Sequence, residues 1–168
     1  MKEDLIELAN TLLRRAKQAN AAVIVAESCT AGLLSQVLAD AKGAADYFHG
    51  GFVTYTKEHK TRGLGVSASL LRERGAVCGE VARAMAEGAL AHSNATISAA
   101  ITGVAGPEPD EDGNPVGRVC IAVALRGRPA RSFERHYGNV GRDEIRERAV
   151  ADALRAMTEA LGSVSAAA

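Results

Sequence analysis

VIVAESCTAG, running from Val23 to Gly32, decides the reading of this chain. Ala21 to Ala26 is a short apolar run in which Val23, Ile24 and Val25 mark a buried strand. The small polar residues after it read as a helix start, with Ser28 to about Ala39 helical and Leu33, Leu34, Val37 and Leu38 facing inward. Ser28 therefore stands where a strand hands over to a helix. Two roles are open to it there. Its hydroxyl can cap the helix, or it can act as a nucleophile beside backbone N–H groups that stabilise an oxyanion.

Working outward, Leu5, Ala9, Leu12, Leu13 and Ala16 recur at steps of three and four, which predicts an amphipathic helix over the first twenty residues. Gly50 to Tyr55 reads as a second strand after a loop of small residues, and Thr56 to Gly63 as a helix stopped by Gly63 and Gly65. Ser67 or Ser69 can cap a short helix ending at Gly75, and Val81, Met85 and Ala89 mark a longer one from Gly79 to His92. Ala95 to Ile101 is a further strand. A loop from Thr102 to Gly117 follows, then two strands, Arg118 to Leu125 and Ala130 to Tyr137, joined as a hairpin. Ile145, Ala149, Ala153, Met157 and Leu161 lie on a last helix, with 162–168 expected as a frayed tail. The pattern predicts one α/β domain over 1–168, a mixed sheet with helices on both faces.

Composition narrows the function. The chain has 168 residues, enough for one domain that buries roughly 70% of its unfolded surface. With aromatics at only 4% and no Trp, Ala, Val, Leu and Ile must build the core. Lys plus Arg and Asp plus Glu stand at 20 each, without a run of about five or more like charges, which argues against a nucleic-acid or membrane partner. The charged N-terminal stretch has no apolar segment of signal or membrane length, so a cytoplasmic protein is expected. Cys29, Cys78 and Cys120 are widely spaced, and His49, His59, His92 and His136 lack zinc-site spacing, so neither a disulfide scaffold nor a metal is expected.

Three residues can make a metal-free acyl-transfer site: Ser28, Tyr55 at the end of the second strand, and Lys60 on the helix beyond it. A lysine at its ordinary pKa of about 10.4 is charged at neutral pH, so Lys60 acts as a base only if burial lowers it by about 3. A charged Lys60 would instead stabilise Tyr55 as a phenolate base. His59 is a rival, but as Lys60's helical neighbour it points about 100° away. ITGVAGP, Ile101 to Pro107, leaves a strand through Gly103 and Gly106, where bare backbone can approach a ligand. It lacks the P-loop and dinucleotide signatures. Arg142 in GNVGRDEIR opens the last helix, where a guanidinium can clamp a phosphate or carboxylate or pair with Asp143 or Glu144. Asp110, Glu111 and Asp112 lack calcium-loop spacing and read as a solvated turn.

In this order, AESCTAG, GGFVTYTKEHK, GAVCGEVARAMAEGA, ITGVAGP, PVGRVCIAV and GNVGRDEIR resemble the CinA C-terminal domain family over about residues 5 to 161. The resemblance implies a three-layer α/β/α sandwich. It also implies hydrolysis of nicotinamide mononucleotide to nicotinate mononucleotide and ammonia, no cofactor, and a homo-oligomer. By the same resemblance Ser28 is the nucleophile, Tyr55 and Lys60 handle protons, and Thr30, Thr102, Gly103, Gly106 and Arg142 belong to the substrate pocket. Ala31 stands where the family often has glycine. Two other readings stand beside this one: a non-catalytic nucleotide-binding or regulatory module of the same fold, and a Ser-Lys acyl hydrolase.

Overall fold

A computed structural model describes residues 2–167. Five strands, β1 (Val23–Glu27), β2 (Phe48–Val53), β3 (Ile97–Gly103), β4 (Arg118–Leu125) and β5 (Arg131–His136), form one sheet in the order β2-β1-β3-β4-β5. β1 is parallel to both β2 and β3, while β3-β4 and β4-β5 are antiparallel. Side chains alternate across a strand, and the two resulting faces carry separate cores. Val23, Val25, Ile97, Ala99, Ile101, Val119 and Ile121 face α1 (Lys2–Ala19), α2 (Leu33–Ala39) and α7 (Arg142–Ala167). Ile24, Ala26, Ala100, Ala122 and Ala124 face α4 (Lys57–Leu64), α5 (Ala68–Arg74) and α6 (Gly79–Ala91). The expected three-layer sandwich with a mixed sheet is the architecture found.

The first crossover leads from β1 outward to β2 by way of α2 and α3 (Ala44–Tyr47); the second returns past β1 to β3 by way of α4, α5 and α6. Strand order thus reverses at β1, and in open α/β sheets ligands bind at the carboxyl ends beside such a reversal. Ser28 leaves β1 there and Thr102 ends β3 there.

Several local expectations change. α2 begins at Leu33, not at Ser28, because residues 28–32 form a tight turn in which Ala31 (φ 49°) and Gly32 (φ 100°) are left-handed. Ala31 therefore sits in that turn and not inside a helix. Ala44–Tyr47 closes into one helical turn where a loop was expected. β2 starts at Phe48 and ends at Val53, so Tyr55 lies in the following loop. The expected tail is helical instead: α7 continues through Ala167. Among the described residues no helix is long and apolar enough to cross a membrane, and no group of three or more His, Cys, Asp and Glu side chains is arranged to hold a metal.

Candidate active site at the carboxyl ends of the parallel strands

Ser28 follows the last residue of β1, and its amide donates to the Ile101 carbonyl of β3 at 2.9 Å, which extends the sheet by one bond. By alternation Glu27 then points to the α2 face and Ser28 to the α4 face. Thr56 caps α4, its hydroxyl accepting from the His59 amide at 3.1 Å. From that start Lys60 falls on the inward side of the helix and His59 on the outward side. Lys60 is only 1% exposed, and its Nζ lies 2.8 Å from Ser28 Oγ. His59 is exposed and takes no part in this contact.

Lys60 Nζ has two other partners, the carbonyls of Thr54 at 2.8 Å and Tyr55 at 3.3 Å. A neutral amine has two N–H bonds and one lone pair. With both N–H groups directed to these carbonyls, the lone pair faces Ser28, whose hydroxyl can donate to it. Burial favours that form: desolvation lowers the Lys60 pKa to about 8. The positive charge of Lys57 lowers it further, against an opposing contribution from Cys29. Lys57 itself pairs with Asp112 and Glu111 at 2.9 Å across the mouth of the cleft.

Tyr55 contributes its carbonyl to this arrangement, and the residue is 56% exposed. Its hydroxyl accepts from Arg142 at 3.2 Å and so faces the rim, not Ser28. Arg142 also donates to the Gly106 carbonyl, which ties the loops after β2 and β3 to the first turn of α7. Two of its five N–H donors are thereby engaged, and among the described residues the others meet no hydrogen-bond acceptor at this exposed position.

Ser28, Lys60, Tyr55, Thr102, Gly103, Gly106 and Arg142 all line one cleft of about 650 Å³. Thr30 does not. Its side chain is buried and donates to Glu27 Oε2 at 2.6 Å. The Thr102 hydroxyl is likewise engaged, donating to the Ala76 carbonyl at 2.8 Å. The two glycines have a packing reason: a β-carbon on Gly103 would press on Val119 and one on Gly106 on Val116. Cys29 shares the cleft, but burial pushes its thiol up to about 12, so it stays protonated and is a poor rival nucleophile.

Two residues outside the expected set matter. Glu27 is fully buried, and its carboxylate accepts from the amides of Gly32 (3.1 Å), Leu34 (3.0 Å) and Ser35 (2.8 Å). The amides at the start of α2, expected to hold an oxyanion, are therefore already bound. The amides of Cys29 and Thr30 donate to no acceptor oxygen among the described residues and are the donors left beside Ser28. Arg146, one turn beyond Arg142, donates from Nε to the Cys29 carbonyl at 2.7 Å. A carboxylate directly before a polar turn was the available signal for Glu27. Arg146 stands in GNVGRDEIR, where it reads as an ordinary helix-surface residue.

The CinA C-terminal domain model matches residues 5–161. A CinA-like protein of Geobacter sulfurreducens is 45% identical over 73% of this chain and 29% of its own length. The chain spans about a third of the length of the curated relatives it matches. Among solved structures, the competence/damage inducible protein CihA from Agrobacterium tumefaciens is 39% identical with a TM-score of 0.89, covering 95% of this chain and 96% of that one. The Klebsiella pneumoniae 700603 member of the competence-damaged protein (CinA) superfamily is 31% identical with a TM-score of 0.90, covering 95% and 98%. With six sequence motifs in order and the same sandwich around them, the chain belongs to the CinA C-terminal domain family.

Proposed function

We propose that the chain is a serine amidohydrolase that converts nicotinamide mononucleotide to nicotinate mononucleotide and ammonia. The observation that carries this reading is the buried contact of 2.8 Å between Lys60 Nζ and Ser28 Oγ, which supplies nucleophile and base from the chain itself. Ser28 Oγ attacks the carboxamide carbon as its proton passes to the Lys60 lone pair. The oxyanion is received by the Cys29 and Thr30 amides. As the tetrahedral adduct collapses, the C–N bond breaks, Lys60 returns the proton to the leaving nitrogen, and ammonia departs. Water then attacks the acyl ester, giving one proton to Lys60, which passes it to Ser28 Oγ as the C–O bond breaks, and the released acid loses its remaining proton to solvent to give the carboxylate.

In this reading Arg142 and the loop from Gly103 to Gly106 hold the mononucleotide phosphate, and Tyr55 fixes Arg142 while its carbonyl orients Lys60. The protein works in the cytoplasm as a homo-oligomer, to which the exposed apolar side chains Val53, Tyr55 and Val140 lend support; light scattering measures the assembly. The test of the chemistry is ammonia release from nicotinamide mononucleotide. Ser28→Ala abolishes it while circular dichroism stays unchanged; turnover retained in that variant overturns the assignment.

A further inference from the structure

We propose that Glu27 is a positioning residue for the nucleophile. Its carboxylate holds the Ser28 to Gly32 turn in the shape that aims Ser28 Oγ at Lys60 and leaves the Cys29 and Thr30 amides with no acceptor oxygen among the described residues. The inference rests on the reading of Ser28 as the nucleophile.

Glu27 Oε2 accepts from Thr30 Oγ1, Gly32 N and Leu34 N, and Oε1 accepts from Ser35 N and Ser35 Oγ. The group is fully buried, and five donors converge on it from both sides of the bend. A helix cap does not require this. Serine, asparagine or aspartate at the cap position satisfies a first turn without burying a carboxylate, yet here the cap is Gly32, which has no side chain to offer. The carboxylate reaches in from the preceding strand instead.

What that arrangement accomplishes is a backbone shape. Ala31 and Gly32 are both left-handed, a conformation a non-glycine residue such as Ala31 adopts only when its surroundings impose it. With Gly32, Leu34 and Ser35 directed to Glu27 and the Ala31 amide returned to the Ser28 carbonyl at 3.0 Å, the Cys29 and Thr30 amides are left over, beside the nucleophile. Glu27 and Ser28 project to opposite faces of the sheet, so the carboxylate acts through the turn and touches no substrate. Arg146 braces the same turn at the Cys29 carbonyl.

Glu27→Gln tests this, because an amide keeps the size but puts an NH₂ group where a carboxylate oxygen accepted. Three readouts are taken: steady-state deamidation of nicotinamide mononucleotide, labelling of Ser28 by a fluorophosphonate probe, and thermal unfolding. The expected result is a kcat lowered about 100-fold with KM within about 3-fold, labelling slowed in parallel, and partial rescue in Glu27→Asp. A folded Glu27→Gln protein whose kcat and labelling rate stay within about 3-fold of the parent overturns the proposal. Should Glu27→Gln fail to fold, Thr30→Val and Ser35→Ala remove one donor each; labelling slowed about 10-fold supports the role, and unchanged labelling in both overturns it. An unsubstituted protein that is labelled at Ser28 but releases no ammonia overturns the substrate reading alone, and the labelling rates still decide the part played by Glu27.

Discussion

Gly88 of α6 packs directly against the Leu64 carbonyl at the end of α4, so closely that a β-carbon on Gly88 would overlap that oxygen. The contact is backbone to backbone, and neither partner can turn aside. α4 carries Lys60, so the position of the proposed base depends on a glycine on a neighbouring helix. Gly88→Ala is expected to push α4 outward, cost about 1–3 kcal/mol in urea unfolding, and lower kcat by lengthening the contact between Lys60 and Ser28.

Because burial lowers Lys60 to about 8, turnover is expected to rise with pH through that value and level off above it, as the neutral base accumulates. Stability follows the same group. Between about 8 and its ordinary 10.5 the unfolded chain binds more protons than the folded one, so stability rises with pH across that window. Below about 8 the cost of a charged, buried lysine is fully present. Lys60→Met should abolish turnover and flatten this rise, as read from urea midpoints at a series of pH values.

Lys57 offers a milder handle on the same ionisation. Its charge disfavours a proton on Lys60, and it holds Asp112 and Glu111 at the rim. In Lys57→Gln the positive charge is gone and the two carboxylates are unpaired, so both changes favour a charged Lys60. The rising limb of the pH–rate profile should move to higher pH, and a shift to lower pH would contradict this electrostatic account.

Ala31 has a left-handed backbone at φ 49°, a conformation that costs an L-residue roughly 1–2 kcal/mol and glycine very little. Ala31→Gly also gives the unfolded chain about 0.4–1 kcal/mol more conformational entropy. The two oppose each other, and the first is larger. A net stabilisation of about 0.5 kcal/mol is expected from the urea midpoint.

Much of this was legible in the residues. Val23, Ile24 and Val25 are apolar because β1 lies between β2 and β3, flanked on both faces, and continuous apolar runs mark such strands well. Lys60 could be preferred to His59 in the sequence but without a contact to rest on, since which side of α4 turns inward depends on Gly88 and Leu64, far apart in sequence. The start of α2 at Leu33 is hidden in the sequence for a related reason. Ser28 and Thr30 are good capping residues by type, whereas the group that serves the helix is Glu27, which belongs to the strand. Arg146 has no legible role in the sequence because its partner, the Cys29 carbonyl, carries no side-chain signature. Local pattern revealed elements; contacts between distant backbone groups decided the details.

The two arginines at the head of α7 bear on how the protein is made. Arg142 fastens the loops after β2 and β3, and Arg146 fastens the turn after β1. α7 is also the last of these elements to leave the ribosome. A nascent chain that has already formed β1, β2 and β3 can bring Ser28 and Lys60 together, yet three of the cleft's walls remain untied until α7 docks. The cleft is thus complete only once α7 has docked, and is not assembled gradually as the strands form.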